Sequence, residues 1–181
     1  DLAFTMHMLS WLAVNGTAAI VEFPGVLYRS GAEQKIRRYL IDNNYVDTVI
    51  QLPADLFFGT TIATCIVVLK KSKVDNKVLF IDGSSQFTRQ GNKNKLTAAH
   101  QQTILDAFTH RVDVDHFATL VDHATIADNS YNIAVSSYVD AEDTREPVHI
   151  KTLNAEIARV VERQARLRTE IDAIVADLEG A

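Results

Sequence analysis

Apolar positions along the chain follow two periods, and the alternation between them is informative. Leu2, Met6, Leu9 and Ala13 recur at helical spacing and stop at Asn15-Gly16, which predicts a buried amphipathic helix. Thr17 to Phe23 is an apolar run broken by Pro24-Gly25 and reads as a strand, with Glu22 its one charged residue. Ser30-Gly31-Ala32-Glu33 matches a capping box. It opens a helix with Ile36 and Leu40 inward, Lys35, Arg37 and Arg38 toward water, and Asn43-Asn44 at its end. Val46 to Leu52 and Thr64 to Leu69 are short runs rich in β-branched residues, as buried strands require. Between them a loop carries Pro53, Phe57, Phe58, Gly59, Thr60 and Thr61. Its adjacent aromatic rings either plug the core beneath the loop or form a stacking surface for a flat ligand.

Beyond a polar turn at Lys71 to Lys77, Val78 to Ile81 is another strand, and Asp82 to Ser85 is a loop. Arg89 to Lys95 is basic, and Thr97 is the expected N-cap of a helix to about His110 that buries Ile104, Leu105 and Phe108. Asp113 to Val139 is less regular, with a short helix over Ala124–Asp128 and extended chain around Tyr131–Val139. Helix, strand, helix, strand, loop, strand is the order of an α/β fold.

The last 42 residues have a different pattern. Asp140 to Pro147 is charged, without apolar periodicity, and reads as a linker. Leu153, Ile157, Val160, Gln164, Leu167, Ile171, Ile174 and Leu178 then alternate at spacings of four and three, a coiled-coil-like seam with one polar position. Such a helix spans about 38 Å from Leu153 to Leu178 and is marginal alone in water. Burial of each large aliphatic contributes about 1.5–3 kcal/mol, so the seam calls for a partner: another chain, another helix, or its own domain.

Composition narrows the class. A chain of 181 residues suits one domain with an appendage, and 47% apolar with 23% charged residues fits a soluble globular protein. A net charge of −5 argues against a basic DNA-binding domain standing alone. Cys65 is the single cysteine, so no intramolecular disulfide exists, and its apolar strand predicts an inert buried thiol. Residues 2–14 are apolar but follow Asp1 rather than a basic segment, and are too short to span a membrane. The expected location is cytoplasmic. His110, His116 and His123, spaced six and seven apart, match no common metal pattern and read as solvated surface residues. The acidic cluster Asp140, Glu142 and Asp143 reads as solvated linker.

The loop and its flanking strands carry a resemblance. Leu52-Pro53, then Leu56-Phe57-Phe58-Gly59-Thr60, Ile62, Thr64, Ile66, Val68-Leu69 and Lys71 resemble the modification (methyltransferase) subunit of type I restriction-modification systems. Gly25 to Glu33 with Ile36-Arg37 lies upstream in family order. Val78 to Asp82, Asn92 to Thr97, Tyr131-Asn132 and Tyr138-Val139 lie downstream. That ordered set makes an unrelated nucleotide-binding α/β protein a poor alternative.

The resemblance implies the C-terminal half of a Rossmann-like S-adenosylmethionine-dependent methyltransferase sheet, modifying the exocyclic amine of adenine in DNA. It further implies that the Phe57-Phe58 loop walls the pocket of the flipped base, with spacing to Ile62 favouring Phe57 as the stacking ring. The expected organisation is 1–75 as the sheet half, 76–139 as a mixed extension, 140–149 as linker and 150–180 as an assembly helix. The helix is a candidate contact with the specificity subunit and, through the complex, the restriction subunit and DNA; self-association is a further use for it. Arg89, Lys93 and Lys95 offer contacts to DNA phosphates or form a solvated loop.

Two elements the family requires are not found: no glycines are spaced Gly-x-Gly, and no Pro-Pro occurs. The chain therefore reads as cut within the catalytic domain, with no catalytic residues, no metal and no bound cofactor of its own. The alternative function is a non-catalytic assembly module that binds a specificity subunit through its helix.

Overall fold

The computed structural model describes residues 2–142 and 149–180. The chain divides into two compact units, 1–142 and 143–181. In the first unit, α1 (Leu2–Trp11) leads to β1 (Thr17–Glu22), and a 3-10 turn (Pro24–Leu27) leads to α2 (Ala32–Asp42). Then come β2 (Val46–Gln51), β3 (Cys65–Lys70), β4 (Lys77–Asp82), and the short strands β5 (Thr88–Gln90) and β6 (Lys93–Lys95). The unit continues with α3 (Ala98–His110), β7 (Ala118–Asp122), α4 (His123–Asp128) and a second 3-10 turn (Val135–Ser137). In the second unit, α5 covers Ile150–Glu179.

Five strands form one mixed sheet in the order β1-β3-β2-β4-β7. β3 lies antiparallel to β1 and β2, β4 is parallel to β2, and β7 is antiparallel to β4. β1, β2 and β4 thus point the same way. Strands on both sides of position 75/76 share this sheet. Its central strands are buried on both faces, which is why they read as unbroken apolar runs. One face packs Leu2, Leu9, Leu40, Ile41 and Phe80 into the larger core. The other packs Ile50, Leu79, Ile81 and Ala118 against Ala107 of α3.

Several expectations are corrected. Arg37 does not face water: it is 1% exposed, and its Nε and Nη1 donate to the Tyr131 and Val26 carbonyls at 2.7 and 2.9 Å. It ties α2 to the first 3-10 turn and to the late irregular segment, and burial lowers its pKa. The capping box at Ser30 does not form. Gly31, at φ 80°, is the N-cap with no side-chain cap, and Glu33 faces Arg29 at 3.8 Å instead. Leu105 stays exposed because α3 covers the β2/β4 side and leaves a groove along β1 and β3, lined by Ala19, Ile66, Val68 and Leu105. β7 lies where irregular chain was expected, and Val135–Ser137 is a 3-10 turn rather than extended chain. The predicted cap at Thr97 forms, and His100 completes a capping box with it.

α5 stands at 30 residues, about 45 Å long. None of its residues is buried, and the seam from Leu153 to Leu178 is exposed throughout. Arg166–Glu170 and Arg168–Asp172 pairs line its charged flank. Residues 143–148, most of the expected linker and Asp143 of the acidic cluster, lie outside the described residues. No helix of the described residues is long and apolar enough to cross a membrane.

Candidate functional site

Because β1, β2 and β4 are parallel, their carboxyl ends, Glu22, Gln51 and Asp82, share one edge of the sheet. That edge is where open α/β sheets place ligands. The longest connection there is the 52–64 loop between β2 and β3. Its base is closed by Leu52 N–H donating to the Thr64 carbonyl at 2.8 Å, and Gln51 Nε2 donates to the same oxygen at 3.0 Å. Asp55 and Gly59 take positive φ values of 55° and 79°, and Thr60 Oγ1 accepts from Ile62 N–H at 3.1 Å. These turns give the loop a fixed path.

Leu52 is buried in the core on the α3 side, and Leu56, further along the loop, packs against it. Of the aromatics that follow, Phe58 is fully exposed and plugs no core, while Phe57 is 39% exposed and partly covered. Ile62 in the same loop and Phe23 at the end of β1 are exposed as well. The sequence pattern identified the aromatic pair but not Leu56, whose single apolar side chain had no periodic neighbours to mark it as the anchor.

The basic stretch is a β5–β6 hairpin, and it is bound to this loop. Arg89 Nη1 pairs with Asp55 Oδ2 at 3.0 Å. Lys93 Nζ donates to the Thr60 carbonyl at 2.7 Å and lies 3.9 Å from Asp55 Oδ1. Lys95 is exposed. Asp55 was not foreseen as a partner; an acidic residue in a turn is ordinary in sequence.

At the β1 end, Glu22 Oε1 accepts from Thr5 Oγ1 at 3.0 Å, and its carbonyl accepts from Cys65 Sγ at 3.4 Å. Burial pushes the Cys65 thiol up to about 12, as an inert thiol requires. Two glycines on this edge, Gly25 and Gly83, leave no cradle, whereas Gly59 in the loop is open. A Cβ on Gly25 would stand 2.7 Å from the Arg29 guanidinium, and one on Gly83 2.9 Å from the Gln51 carbonyl. Both spaces are filled by the chain itself.

Among the described residues no group of His, Cys, Asp and Glu is arranged to hold a metal ion. His110 and His116 are exposed. His123 corrects the surface reading: it is half-buried, its Nε2 has no partner among the described residues, and burial lowers its pKa.

Comparison with known proteins gives a consistent picture. The N-6 DNA methylase family profile matches residues 1–147. The chain is 46% identical over 181 residues to the type I restriction enzyme MpnII methylase subunit of Mycoplasma pneumoniae, across 99% of this chain and 33% of that protein. It is 28% identical over 167 residues to the MjaVII methylase subunit of Methanocaldococcus jannaschii, across 89% of this chain and 28% of that protein. The chain therefore spans about a third of the length of these relatives. Its structure matches that of the type I restriction-modification methyltransferase subunit from Streptococcus thermophilus with a TM-score of 0.76 at 42% identity, covering 77% of this chain and 30% of that one. A further match in fold, at 18% identity and a TM-score of 0.63, is the EcoKI M protein, covering 94% of this chain and 44% of that chain.

Proposed function

From a chain that belongs to the N-6 DNA methylase family, we propose the following part in a larger enzyme. The parent is the modification subunit of a type I restriction-modification system. It transfers a methyl group from S-adenosylmethionine to the exocyclic amine of adenine in DNA. This chain contributes the second half of a Rossmann-like sheet and the wall of the pocket that receives the flipped base.

The observation that carries the reading is the 52–64 loop at the carboxyl edge, with Phe57 part-exposed and Phe58 wholly exposed. Flipping a base costs a few kcal/mol, and stacking it on an aromatic ring returns about 1–3 kcal/mol. A ring held in water before the base arrives suits that exchange. Lys95 is the phosphate contact in this reading, while Arg89 and Lys93 serve the loop.

The residues present do not fit the methionine end of the cofactor. No Gly-x-Gly occurs, and Gly25 and Gly83 on this edge are packed by their own chain. The Asn/Asp-Pro-Pro-Tyr/Phe segment that accepts the adenine amine is not in this sequence either. This chain's part is therefore confined to the base.

The test is methyl transfer by the full-length protein. Phe57→Ala and Phe58→Ala are expected to slow methylation by about tenfold or more, from the loss of one stacking contact, with unchanged melting. Equal loss of stability and activity in Phe57→Ala, with Phe58→Ala silent, would make Phe57 a packing residue. Calorimetric titration of the isolated chain with S-adenosylmethionine is expected to show no binding; saturable micromolar binding overturns the placement of the cofactor.

A second reading concerns assembly, and the fully exposed seam of α5 favours it. In this reading α5 forms a coiled coil with the specificity subunit, which brings the restriction subunit and DNA into the complex. Without that partner it pairs with a second copy. Ile171→Asp is expected to abolish association, because a buried unpaired charge is costly. Sedimentation with and without the specificity subunit checks it. Unchanged association would place the contact elsewhere.

A further inference from the structure

The hairpin beside the aromatic loop is built around a residue with no evident part in binding DNA. Asn94, in β6, is 9% exposed. Its backbone N–H donates to the Asp55 carbonyl at 3.0 Å, and its Nδ2 donates to the Ala54 carbonyl at 2.8 Å. Its Oδ1 accepts from Arg89 Nη1 at 3.1 Å. That same nitrogen reaches Asp55 Oδ2 at 3.0 Å, while Arg89 Nη2 donates to the Asn92 carbonyl at 2.9 Å and Nε to the Gly91 carbonyl at 3.2 Å. Asn94 and Arg89 together therefore hold Ala54 and Asp55 on one side of the loop, and Lys93 holds Thr60 on the other. Phe57 and Phe58 lie between these two points. Asp55 sits at φ 55°, a turn conformation that Asp adopts more readily than most residues.

We infer that Asn94, with Arg89 and Lys93, is a positioning clamp that fixes both ends of the aromatic turn and so aims its rings at the target base. The inference rests on the reading of the loop as the base-pocket wall. A buried amide whose donor and acceptor are both matched specifies a unique geometry more than an exposed ion pair does. Asn94 is thus the centre of the clamp, and the salt bridges are its outer members. Arg89 and Lys93 are spent on the loop rather than on phosphate.

The experiment uses the full-length methylase assembled with its partner subunits. The variants are Asn94→Ala and the half-exposed Arg89→Ala, which removes the outer arm and leaves the Asn94 bonds to Ala54 and Asp55 in place. Hydrogen exchange of amides 54–62 should accelerate in both while exchange of the sheet is unchanged. Methylation turnover should fall by about tenfold to a hundredfold, as misplacement by an ångström allows. The decisive readout is non-additivity: with Phe57→Ala and Phe58→Ala already present, neither clamp variant should slow turnover further. If the phenylalanine variants are slow but the clamp variants turn over normally, or the effects add, the clamp is overturned and the loop reading survives. If the phenylalanine variants are themselves at wild-type rate, the loop reading falls and the clamp's role in methylation falls with it.

Discussion

The sheet unit and α5 carry equally regular apolar patterns, yet their surroundings are opposite. Val49, Val67 and Phe80 are at most 1% exposed, whereas Ile171 is 54% exposed. The difference lies in where each backbone finds its hydrogen bonds. β2 has no internal partners and must recruit β3 and β4 from further along the chain. Forming the strand therefore brings its own cover. A helix satisfies its backbone within itself, so α5 forms with its seam still open. A strand pattern thus predicts burial within the same chain, whereas a heptad pattern predicts only that something will cover it.

The sharpest way to break this comparison is to truncate one large apolar side chain in each region. Phe80→Ala removes a fully buried ring stacked on Tyr138 at 4.4 Å. It should cost about 3–5 kcal/mol of stability, enough to unfold much of the unit. Ile171→Ala should change the unfolding free energy of the monomeric chain by less than about 0.5 kcal/mol. Urea unfolding of the two variants checks both. A comparable loss in Ile171→Ala that does not vary with protein concentration would show that the seam is covered within the chain.

A smaller effect separates two adjacent arginines of α2. Arg37→Ala leaves the Val26 and Tyr131 carbonyls without their donor, each at about 1–3 kcal/mol if no water replaces it. Arg38→Ala removes an exposed pair to Asp42 and a cation resting 5.6 Å from the Tyr131 ring. It should stay within about 0.5 kcal/mol of the parent. Thermal melting orders the two, and equal losses would mean that Arg37 acts through charge rather than through its buried bonds.

That contrast marks what the sequence made legible. The apolar runs at β2, β3 and β4 located the sheet, and the heptads located α5, because both signals are periodic and local. The same pattern located the aromatic loop, and the resemblance supplied its expected role. Arg37 was misread because helical periodicity treats arginine as solvent-facing; its partners are carbonyls 11 and 94 residues away. β7 was missed because Ala118–Asp122 has too few large apolar residues to mark a strand, and pairing with β4 makes it one. The clamp escaped for a similar reason. Asn92 to Lys95 looks polar and solvated, and Asn94 becomes a buried residue only when the 52–64 loop folds over it.

Gln164 sharpens the comparison from the side of the helix. A polar seam residue costs association strength but sets register and partner choice. Gln164→Leu should tighten self-association of the chain by about tenfold, a gain of about 1.4 kcal/mol, while reducing its preference for the specificity subunit over a second copy. Sedimentation at graded concentrations reads the first, and competition between the partners reads the second. No change in either would remove position 164 from the contact.

The smallest effect expected is a pH dependence confined to the sheet unit. His123, the first residue of α4, is half-buried, and desolvation holds its pKa below the ordinary 6.5. Lys73 adds to the lowering, while Asp42, Asp122 and Asp75 oppose it. In the unfolded chain the ring takes up its proton near 6.5; in the folded unit it does so only at lower pH. Between the two values the unfolded state holds more protons, so stability falls as the pH drops below about 6.5 and levels off below the folded pKa. His123→Gln removes this titration and should flatten the decline in melting temperature across that window. Near-ultraviolet circular dichroism follows the sheet unit and far-ultraviolet signal adds α5. The slope should change in the first measurement. If the variant melts with the parent's pH dependence, the acid sensitivity of the unit lies in other groups.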